Sequence, residues 1–488
     1  YNKYQDTLRK NNALDFDDIL VKTLELLRIP QILDFYSEKF QYLLVDEYQD
    51  TNTPQYEIVK LLWKKYNNVA VVWDDSQSIY SWRGANMQNI IDFKKDYPDA
   101  NIIKLEQNYR STKNIISWAN SVIKNNQSGI KKELWTAGNT WEKIQYIVAP
   151  DDRTEAKIIT DIIVEKNKPY LENLILYRTN SQSRQIEEAL MMKWIPYKVI
   201  WGMKFYDRKE VKDIMSYLKL IHNCDDVVAM KRVINTPTRK IGAKSIETLD
   251  NYSRNFGFSY MAILENIDEV DEMRAWAKTS LKIFHELIVS FIKSSKEKTV
   301  SELIEEVIKC TDYKEFLTAG LWEEEKQSKL DNLEELINVA SEYNGMEPEV
   351  SLSTFLEEVA LITDMDTKDE SADYVTLMTI HTSKGLEQKR VFLCGVEEWI
   401  FPSFRSMTNA YALEEERRLM YVAMTRAREE LYISRAVERF HFWNFNHNPE
   451  SRFISEIDKD SIEEYETSYS TNSFFSTVSD TTPSVREW

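Results

Sequence analysis

The stretch LLVDEYQDTN, residues 43–52, is an apolar run that passes directly into two acids, and it decides the fold class. A run with this ending predicts a short buried strand followed by polar groups. Similar runs recur along the chain: VAVVW (69–73), NIIKLEQNYRS (101–111), LILYRTN (174–180), KVIW (198–201), VTLMTIHTSKG (375–385), RVFLCGVEE (390–398) and ELYISRA (430–436). Helical periodicity separates most of them. This alternation predicts an α/β fold on parallel sheets, with chemistry at the carboxyl ends of the strands.

The middle of the chain, about residues 208–371, follows a different pattern. Helical periodicity dominates it, as in SELIEEVIKC (301–310) and KLDNLEELINVASEY (329–343). Because this region separates two groups of predicted strands, we interpret it as an inserted helical domain. The acidic run DMDTKDESADY (364–374) predicts a loop that leads back to the strands. Residues 459–488 are rich in Ser, Thr and acids, which is typical of disorder.

The composition limits the classes of partner. The 488 residues carry a net charge of −18, which argues against nonspecific binding of polyanions but allows a local basic groove. No apolar run approaches the ~18 residues that a membrane span requires, and no secretory leader is visible, so we expect no membrane partner. Cys224, Cys310 and Cys394 lie far apart without metal-binding spacing. They predict core thiols in a reduced, cytoplasmic setting.

Asp46 and Glu47 form the first candidate site. An aspartate at the end of a buried strand can hold Mg²⁺, and the acid after it can orient a water for attack on a γ-phosphate. The alternative is a strand that simply ends in solvated acids.

The stretch DDSQSIYSWRGAN (74–86) is the second candidate. Gln77 could contact a γ-phosphate or the attacking water. Tyr80, Trp82 and Arg83 place two aromatic rings and a cation on a short polar segment, a combination that stacks on nucleic-acid bases. The alternative is that Trp82 anchors a core.

Two further motifs carry hydrogen-bonding groups. In LEQNYRST (105–112), Tyr109 could stack on adenine and Arg110 could reach a γ-phosphate, although a surface arginine is usually just solvated. In VTLMTIHTSKGLE (375–387), polar side chains from His381 onward stand on a turn before Glu387. Such a turn can hold a phosphate or a sugar hydroxyl.

The last motif is EEERRLMYVAMTRAREEL (414–431), in which Arg426 stands near the end of a helical run. An arginine that a second domain delivers to a phosphoryl group neutralises developing charge and makes hydrolysis depend on domain closure. The alternative is a solvated helix with interleaved charges.

Taken together and in this order, the motifs resemble those of the UvrD/PcrA/Rep family of superfamily 1 DNA helicases. The residues that carry the resemblance are DEYQDTN (46–52), QSIYSWRGA (77–85), LEQNYRS (105–111), TLMTIHTSKGLE (376–387) and YVAMTRAREEL (421–431). LYRTNSQSR (176–184), KFYDRKEVKD (204–213) and NTPTRKIG (235–242) also match. The resemblance extends from about residue 13 to residue 457.

The resemblance implies two RecA-like motor domains with helical insertions, driven by ATP in the 3′ to 5′ direction along single-stranded DNA. The implied domains are the end of the first insertion (1–10), the first motor domain (11–98), the second motor domain (99–207 and 372–458), its helical insertion (208–371) and a disordered tail (459–488). The implied nucleotide residues are Asp46 for Mg²⁺, Glu47 for the attacking water, Gln77, Arg110 and Arg426 for the γ-phosphate, Tyr109 for adenine and Glu387 for the ribose. The implied DNA contacts are Tyr80, Trp82, Arg83 and His381, with Arg239, Lys240 and Gly242 on duplex DNA.

The chain departs from the family in lacking a phosphate loop, since no G-x-x-x-x-G-K-[ST] occurs in it. In the family this loop lies upstream of the motif at residue 46. The chain also begins at Tyr1 inside an amphipathic helical pattern, so we expect a fragment of a longer protein. Without the lysine and backbone amides of the loop, the β- and γ-phosphates lose their cradle. We therefore expect the chain as given to hydrolyse little or no ATP.

The tryptophans are a second departure. The family has glycine at the positions of Trp73, Trp201 and Trp399, and we expect glycine also at the positions of Trp141 and Trp443. Trp194 stands where a small turn residue is usual. The chain has 13 Trp and 10 Gly, whereas ordinary usage of ~7% Gly corresponds to roughly 34. Our hypothesis is that these tryptophans are glycines encoded by UGA, which some bacterial lineages read as glycine. The alternative is a decayed paralogue.

The expected function is an ATP-dependent DNA helicase or translocase of DNA repair or replication. Its expected partners are single-stranded DNA, junctions of single- and double-stranded DNA, and repair or replication proteins. One alternative is the helicase subunit of a recombination helicase–nuclease, although the short Ser/Thr-rich tail argues against it. The other is a non-enzymatic module that binds DNA or a partner.

Overall fold

The computed structural model describes residues 1–10, 13–129, 132–139, 143–200, 202–366, 373–441, 444–457 and 461–466. These residues form a mixed α/β fold with parallel sheets, which confirms the predicted fold class. We call residues 1–98 the first lobe, residues 113–207 together with 373–466 the second lobe, and residues 209–366 the helical region. The boundaries of the predicted domains stay predictions.

The first lobe contains a parallel pair of strands, β1 (Leu43–Val45) and β2 (Val69–Val71). Its helices are α1 (Asn2–Lys10), α2 (Phe16–Leu27), α3 (Pro30–Lys39), α4 (Thr53–Trp63) and α5 (Gln88–Asp96). Asn52 begins α4 with a capping box, because its side chain accepts a hydrogen bond from Gln55 N and Gln55 accepts one from Asn52 N. A small, largely aromatic core packs against the strands: Tyr48, Tyr56, Ile90, Phe93 and Tyr97.

One face of the β1–β2 pair is open to solvent in the described chain. The register pairs Leu44 with Ala70, and Val72 lies two residues further along, so all three side chains point to this face. Leu44 is 84% exposed and Val72 is 55% exposed. Parallel sheets are normally buried on both faces. The first lobe therefore presents an apolar surface, which we call the open face.

The second lobe is built on a larger sheet. Its strands are β3 (Ile144–Asp151), β4 (Asn173–Tyr177), β5 (Tyr197–Val199), β6 (Val375–Thr379), β7 (Gln388–Leu393), β8 (Ala427–His441), β9 (Asn444–Asn446) and β10 (Ile462–Glu464). They lie in the order β10-β3-β8-β7-β4-β6-β5 with parallel pairing, and β9 is antiparallel to β8.

Helices cover both faces of this larger sheet. Helices α6 (Lys113–Ile123), α18 (Ala410–Met424) and α19 (Arg452–Ser455) contribute to the core on one face, and α7 (Asp152–Glu165) and α8 (Ser183–Met192) to the core on the other. Because both faces are covered, β4 is buried along its whole length. The sheet therefore holds the loops at its carboxyl edge on a rigid base.

The helical region lies between β5 and β6. Its helices are α9 (Lys209–His222), α10 (Val227–Val233), α11 (Ala243–Phe256), α12 (Tyr260–Glu265), α13 (Ala275–Ser294), α14 (Val300–Cys310), α15 (Tyr313–Thr318), α16 (Glu323–Ser341) and α17 (Pro348–Asp366). They share one apolar core. An ion pair of Arg184 with Glu335, with Nε and Oε1 2.5 Å apart, joins α16 to the second lobe. None of the described helices is both long and apolar enough to cross a bilayer.

The structure differs from the sequence predictions in several segments. Residues 101–106, predicted as part of a strand, form no strand, and Ile103 is 81% exposed. A strand needs a partner, and the described chain pairs this segment only through a single bridge from Gln107 to Trp135. Strand β3 was not predicted. Residues 462–464, within the stretch expected to be disordered, form strand β10 because they pair with β3. Residues 467–488 lie outside the described chain.

Candidate nucleotide and DNA sites in the cleft between the lobes

Asp46 and Glu47 stand at the carboxyl end of β1, as the strand–acid pattern predicts. Both are exposed, and Asp46 Oδ1 accepts a hydrogen bond from Glu47 N at 2.9 Å. Glu47 has a φ of 50°, in the left-handed region that glutamate rarely adopts. Hydrogen bonds on the following residues hold this turn, including Tyr48 N to Val72 O at 2.9 Å. The backbone therefore points the Glu47 carboxylate out of the sheet edge.

Lys384 of the second lobe contacts Glu47 and Asp50 of the first lobe. Its Nζ lies 3.1 Å from Glu47 Oε2, donates to Gln77 O at 3.2 Å and hydrogen-bonds the carboxylate of Asp50. Burial raises the pKa of Asp50 above its ordinary value, and Lys384 opposes that shift. Asp50 Oδ1 is buried and accepts no hydrogen bond from the described chain. The acids of the first lobe and the turn after β6 thus line one cleft.

Arg110 and Glu387 meet on the second-lobe side of the cleft. The Nε of Arg110 donates to the Glu387 carboxylate, and Arg428 Nε donates to Glu387 Oε1 at 2.9 Å. Burial opposes ionisation of Glu387, but the hydrogen bonds from Arg428 and Arg110 hold its pKa below the ordinary value. Two residues from separate predicted motifs are therefore brought into contact.

Arg426 lies buried directly behind this pair. Its Nε donates to Val422 O at 3.0 Å and its Nη1 to Leu386 O at 3.1 Å. Burial and the charge of Arg110 lower the pKa of Arg426 to about 10, and Glu47 is among the groups that act in the opposite direction. Arg426 therefore stays cationic at neutral pH.

Two predicted nucleotide residues point elsewhere in this structure. The Gln77 side chain donates to Asp74 Oδ2 at 2.8 Å. Tyr109 is 85% exposed, with its hydroxyl donating to Gln107 Oε1 at 2.9 Å. Both lie in the motif segments that the sequence analysis named, but their roles toward a nucleotide stay predictions.

The aromatic segment of residues 80–83 packs on the second lobe at its His381 turn. Tyr80 OH donates to His381 O at 2.9 Å. The Arg83 guanidinium lies 4.6 Å from the centre of the Trp82 ring, and Trp82 is 46% exposed. Burial, followed by the charges of Arg178 and Arg83, lowers the pKa of His381 well below its ordinary value, so its imidazole is neutral at pH 7. The predicted DNA-contacting residues of the cleft therefore form one cluster.

The RKIG turn lies apart from that cluster, between α10 and α11 of the helical region. Arg239 turns inward, because its guanidinium donates to Tyr217 OH at 2.7 Å and Val233 O at 3.0 Å. Lys240, with a φ of 64°, and Gly242 are exposed. A contact of Arg239 with duplex DNA would require it to leave its internal partners, whereas Lys240 and Gly242 already face solvent.

Comparison with known proteins decides the family. A model of the UvrD-like helicase C-terminal domain matches residues 103–438, and a model of the UvrD/REP helicase N-terminal domain matches residues 1–98. The chain belongs to the UvrD/PcrA/Rep helicase family. Its two lobes accordingly have the RecA-like fold.

Relatives from this family match nearly the whole chain. The chain is 44% identical over 473 residues to the ATP-dependent DNA helicase PcrA of Staphylococcus aureus (strain NCTC 8325 / PS 47) and 43% identical over 474 residues to that of Bacillus subtilis (strain 168). PcrA of Staphylococcus epidermidis is 44% identical over 473 residues. Each match covers 95% of this chain and 64% of the relative.

Sequence reasoning missed several residues that join the lobes of this UvrD/PcrA/Rep family member. Arg418 Nε donates to Ser78 O at 2.8 Å, and Ser81 N donates to Glu415 Oε1 at 3.1 Å. Lys132 Nζ lies 3.0 Å from Asp75 Oδ1. Arg418 and Glu415 stand inside a quoted motif, so the motif could have suggested them. Lys132 stands outside every quoted motif, so no sequence signal pointed to it.

Proposed function

We propose that this chain is the greater part of a cytoplasmic, ATP-dependent DNA helicase that moves 3′ to 5′ along single-stranded DNA. One relationship supports this function best. Glu47 of the first lobe pairs with Lys384 of the second at 3.1 Å, and Arg426 lies buried on the second-lobe side behind Arg110 and Glu387. An acid and an arginine on opposite walls are the groups that phosphoryl transfer between motor lobes needs.

The nucleotide would lie in the cleft between these walls. We propose that Glu47 accepts the proton of the attacking water, and that Arg426 and Arg110 neutralise charge on the γ-phosphate. Gln77 would turn from Asp74 toward the same phosphate. Tyr109 would stack on adenine and Glu387 would contact the ribose.

The acids at the end of β1 fit a magnesium ion. Asp46 presents an exposed carboxylate, and Asp50 Oδ1 is a buried oxygen without a hydrogen-bond donor in the described chain. Mg²⁺ is usually held by one or two carboxylates together with phosphate oxygens and water. Asp46 would hold it, and the ion would supply positive charge beside the phosphates. Glu47 would remain available for the water.

Single-stranded DNA would pass over Tyr80, Trp82 and Arg83. The exposed Trp82 ring offers a face for a base, and Arg83 offers a charge for phosphate. Because Tyr80 OH also hydrogen-bonds His381 O, the segment that contacts bases is attached to both lobes. Opening or closing the cleft would therefore move the stacked base.

We also propose that the chain as given hydrolyses little or no ATP. It contains no phosphate-loop sequence, and the open face exposes Leu44 beside the catalytic acids. A polypeptide segment that covers the open face and carries a phosphate loop would complete the site. The same lack favours a second candidate function for the isolated chain, that of a DNA-binding module without turnover.

The test compares the chain as given with the complete open reading frame. We expect DNA-stimulated ATPase activity and unwinding of a duplex with a 3′ single-stranded tail only from the complete protein. Arg426→Ala in the complete protein should lower kcat by about 10³-fold or more while single-stranded DNA binding persists. Robust ATPase activity of the chain as given would refute the requirement for the segment. Unwinding only of a 5′-tailed duplex would refute the direction.

A further inference from the structure

The backbone at Trp194 and Trp399 lies in the left-handed region, with φ values of 56° and 74°. For L-residues with large side chains this region costs roughly 1–2 kcal/mol, whereas glycine adopts it freely. The indoles recover little by packing, because Trp194 is 71% exposed and Trp399 is 49% exposed. Nothing in their side-chain environment explains why tryptophan stands there.

The hydrogen bonds around Trp194 define the end of α8. Trp194 N donates to Met191 O, and Ile195 N donates to Leu190 O, both at 2.9 Å. This pair of bonds is the Schellman motif, and Trp194 occupies its left-handed position, where glycine is usual. Ile195 and Leu190 are both buried in the same core. Burial of Ile195 and Leu190 therefore stabilises the Schellman motif, and the indole of Trp194 does not contribute to it.

Trp399 stands in a turn that buried residues also fix. Ile400 N and Phe401 N both donate to Glu397 O, at 3.2 and 2.7 Å. Glu397 is buried and its carboxylate pairs with Arg439 at 2.7 Å, while Phe401 is fully buried. Buried residues on both sides of Trp399 therefore anchor the turn in which its φ is left-handed.

The other left-handed non-glycine residues of the described chain either belong to tolerant types or stand at candidate functional sites. Asn67, Asn167 and Asp312 belong to the residue types that tolerate this region, and Glu47 and Lys240 stand at candidate functional sites. Elsewhere the chain uses glycine for such turns, with φ values of 72° at Gly257, 77° at Gly320 and 68° at Gly395. Trp194 and Trp399 are therefore the bulky exceptions.

We propose that residues 194 and 399 are glycines in the protein as its own cell makes it, and that both codons are TGA read as glycine. The shortage of glycine beside 13 tryptophans agrees with this assignment. It does not depend on the proposed function. Trp73 has no left-handed φ and packs against the first-lobe core, so the structure supplies no backbone argument there. Trp141, Trp201 and Trp443 lie outside the described residues.

The direct test reads the gene and the native protein. Tandem mass spectrometry of the tryptic peptide spanning residues 391–405, from protein isolated from its own cells, should show glycine at position 399. The codons for residues 194 and 399 should be TGA, whereas the codon for Trp82 should be TGG. Tryptophan at 399 in the native peptide, or TGG at either codon, would overturn the proposal.

A second test uses protein made in a host with the standard code. Trp194→Gly and Trp399→Gly should each lower the unfolding equilibrium constant by about five- to thirty-fold, measured by urea denaturation. Trp194→Ala and Trp399→Ala remove the same indoles but keep a Cβ, so they should gain markedly less. Trp276, the second residue of α13, is as exposed as Trp399 but has a helical backbone, so Trp276→Gly should raise the unfolding equilibrium constant. Equal effects of Gly and Ala would show that the indole, and not φ, carries the strain.

Discussion

The Nζ of Lys384 lies 3.1 Å from Oε2 of Glu47, and this ion pair joins the two lobes across the cleft. The same ammonium group hydrogen-bonds the carboxylate of Asp50 and the backbone oxygen of Gln77. The ammonium group of Lys384 thus holds Glu47 and Asp50 of the first lobe against the turn after β6. The contact connects the turn after β6 directly to Glu47, the acid that we propose to be catalytic.

Lys384→Met should weaken the association of the lobes. It leaves Asp50 buried without its cation, which costs about 1.5–3 kcal/mol in the free energy of unfolding. Because burial already raises the pKa of Asp50, the cost is present while Asp50 is ionised and is relieved when low pH protonates it. Thermal denaturation should show a larger deficit at pH 7.5 than at pH 4. A deficit that does not change with pH would mean that Asp50 is not the group affected.

Trp82→Ala should reduce the affinity for single-stranded DNA. Loss of one stacked base costs ~1–3 kcal/mol, so the Kd should rise by about five- to 150-fold. Fluorescence anisotropy with a labelled oligonucleotide measures it. The matched control is Trp276→Ala, because Trp276 is 48% exposed against 46% for Trp82 but lies in the helical region. Equal losses from both substitutions would contradict a specific stacking role.

His381 should make the fold sensitive to mild acid. Its pKa is lowered well below the ordinary value, so the folded protein holds it neutral while an unfolded chain protonates it below about pH 6.5. The stabilisation is therefore complete above that pH and is lost as pH falls, by about 1.4 kcal/mol per pH unit. His381→Asn should flatten the stability profile between pH 7 and pH 5. An unchanged slope would show that His381 is not the group that titrates.

Leu44→Asp should destabilise the complete protein but leave the stability of the chain as given almost unchanged. Leu44 is 84% exposed on the open face, so the substitution should change the stability of the chain as given by no more than about 0.5 kcal/mol. In the complete protein, a covering segment would bury the new carboxylate, which is expensive without a partner. The melting temperature of the complete protein should fall and its ATPase activity should decrease. Equal melting temperatures of complete parent and variant would show that the open face stays uncovered.

The sequence predicted most elements that carry the cleft, and the exceptions have physical causes. The runs LILYRTN and RVFLCGVEE predicted strands correctly, because a continuous apolar run can be recognised from neighbouring residues alone. NIIKLEQNYRS did not, because a strand also needs a partner and its local pattern cannot show whether one is present. Strand β3 was missed because polar and apolar residues do not alternate clearly in its IQYIV run. Sequence reasoning named Arg239 as a DNA contact, but only packing showed that its guanidinium turns inward.

The family and the parallel α/β class could be read from the order of the residues, because motif spacing and apolar periodicity are local properties of the chain. Which of the motif residues meet depends on how the sheets and loops pack. Lys384 and Glu47 are separated by most of the chain, and Arg110 contacts Glu387 only because the sheet brings their loops to one edge. The structure alone also showed that Trp194 and Trp399 stand in left-handed turns, since φ is set by the hydrogen bonds of buried neighbours.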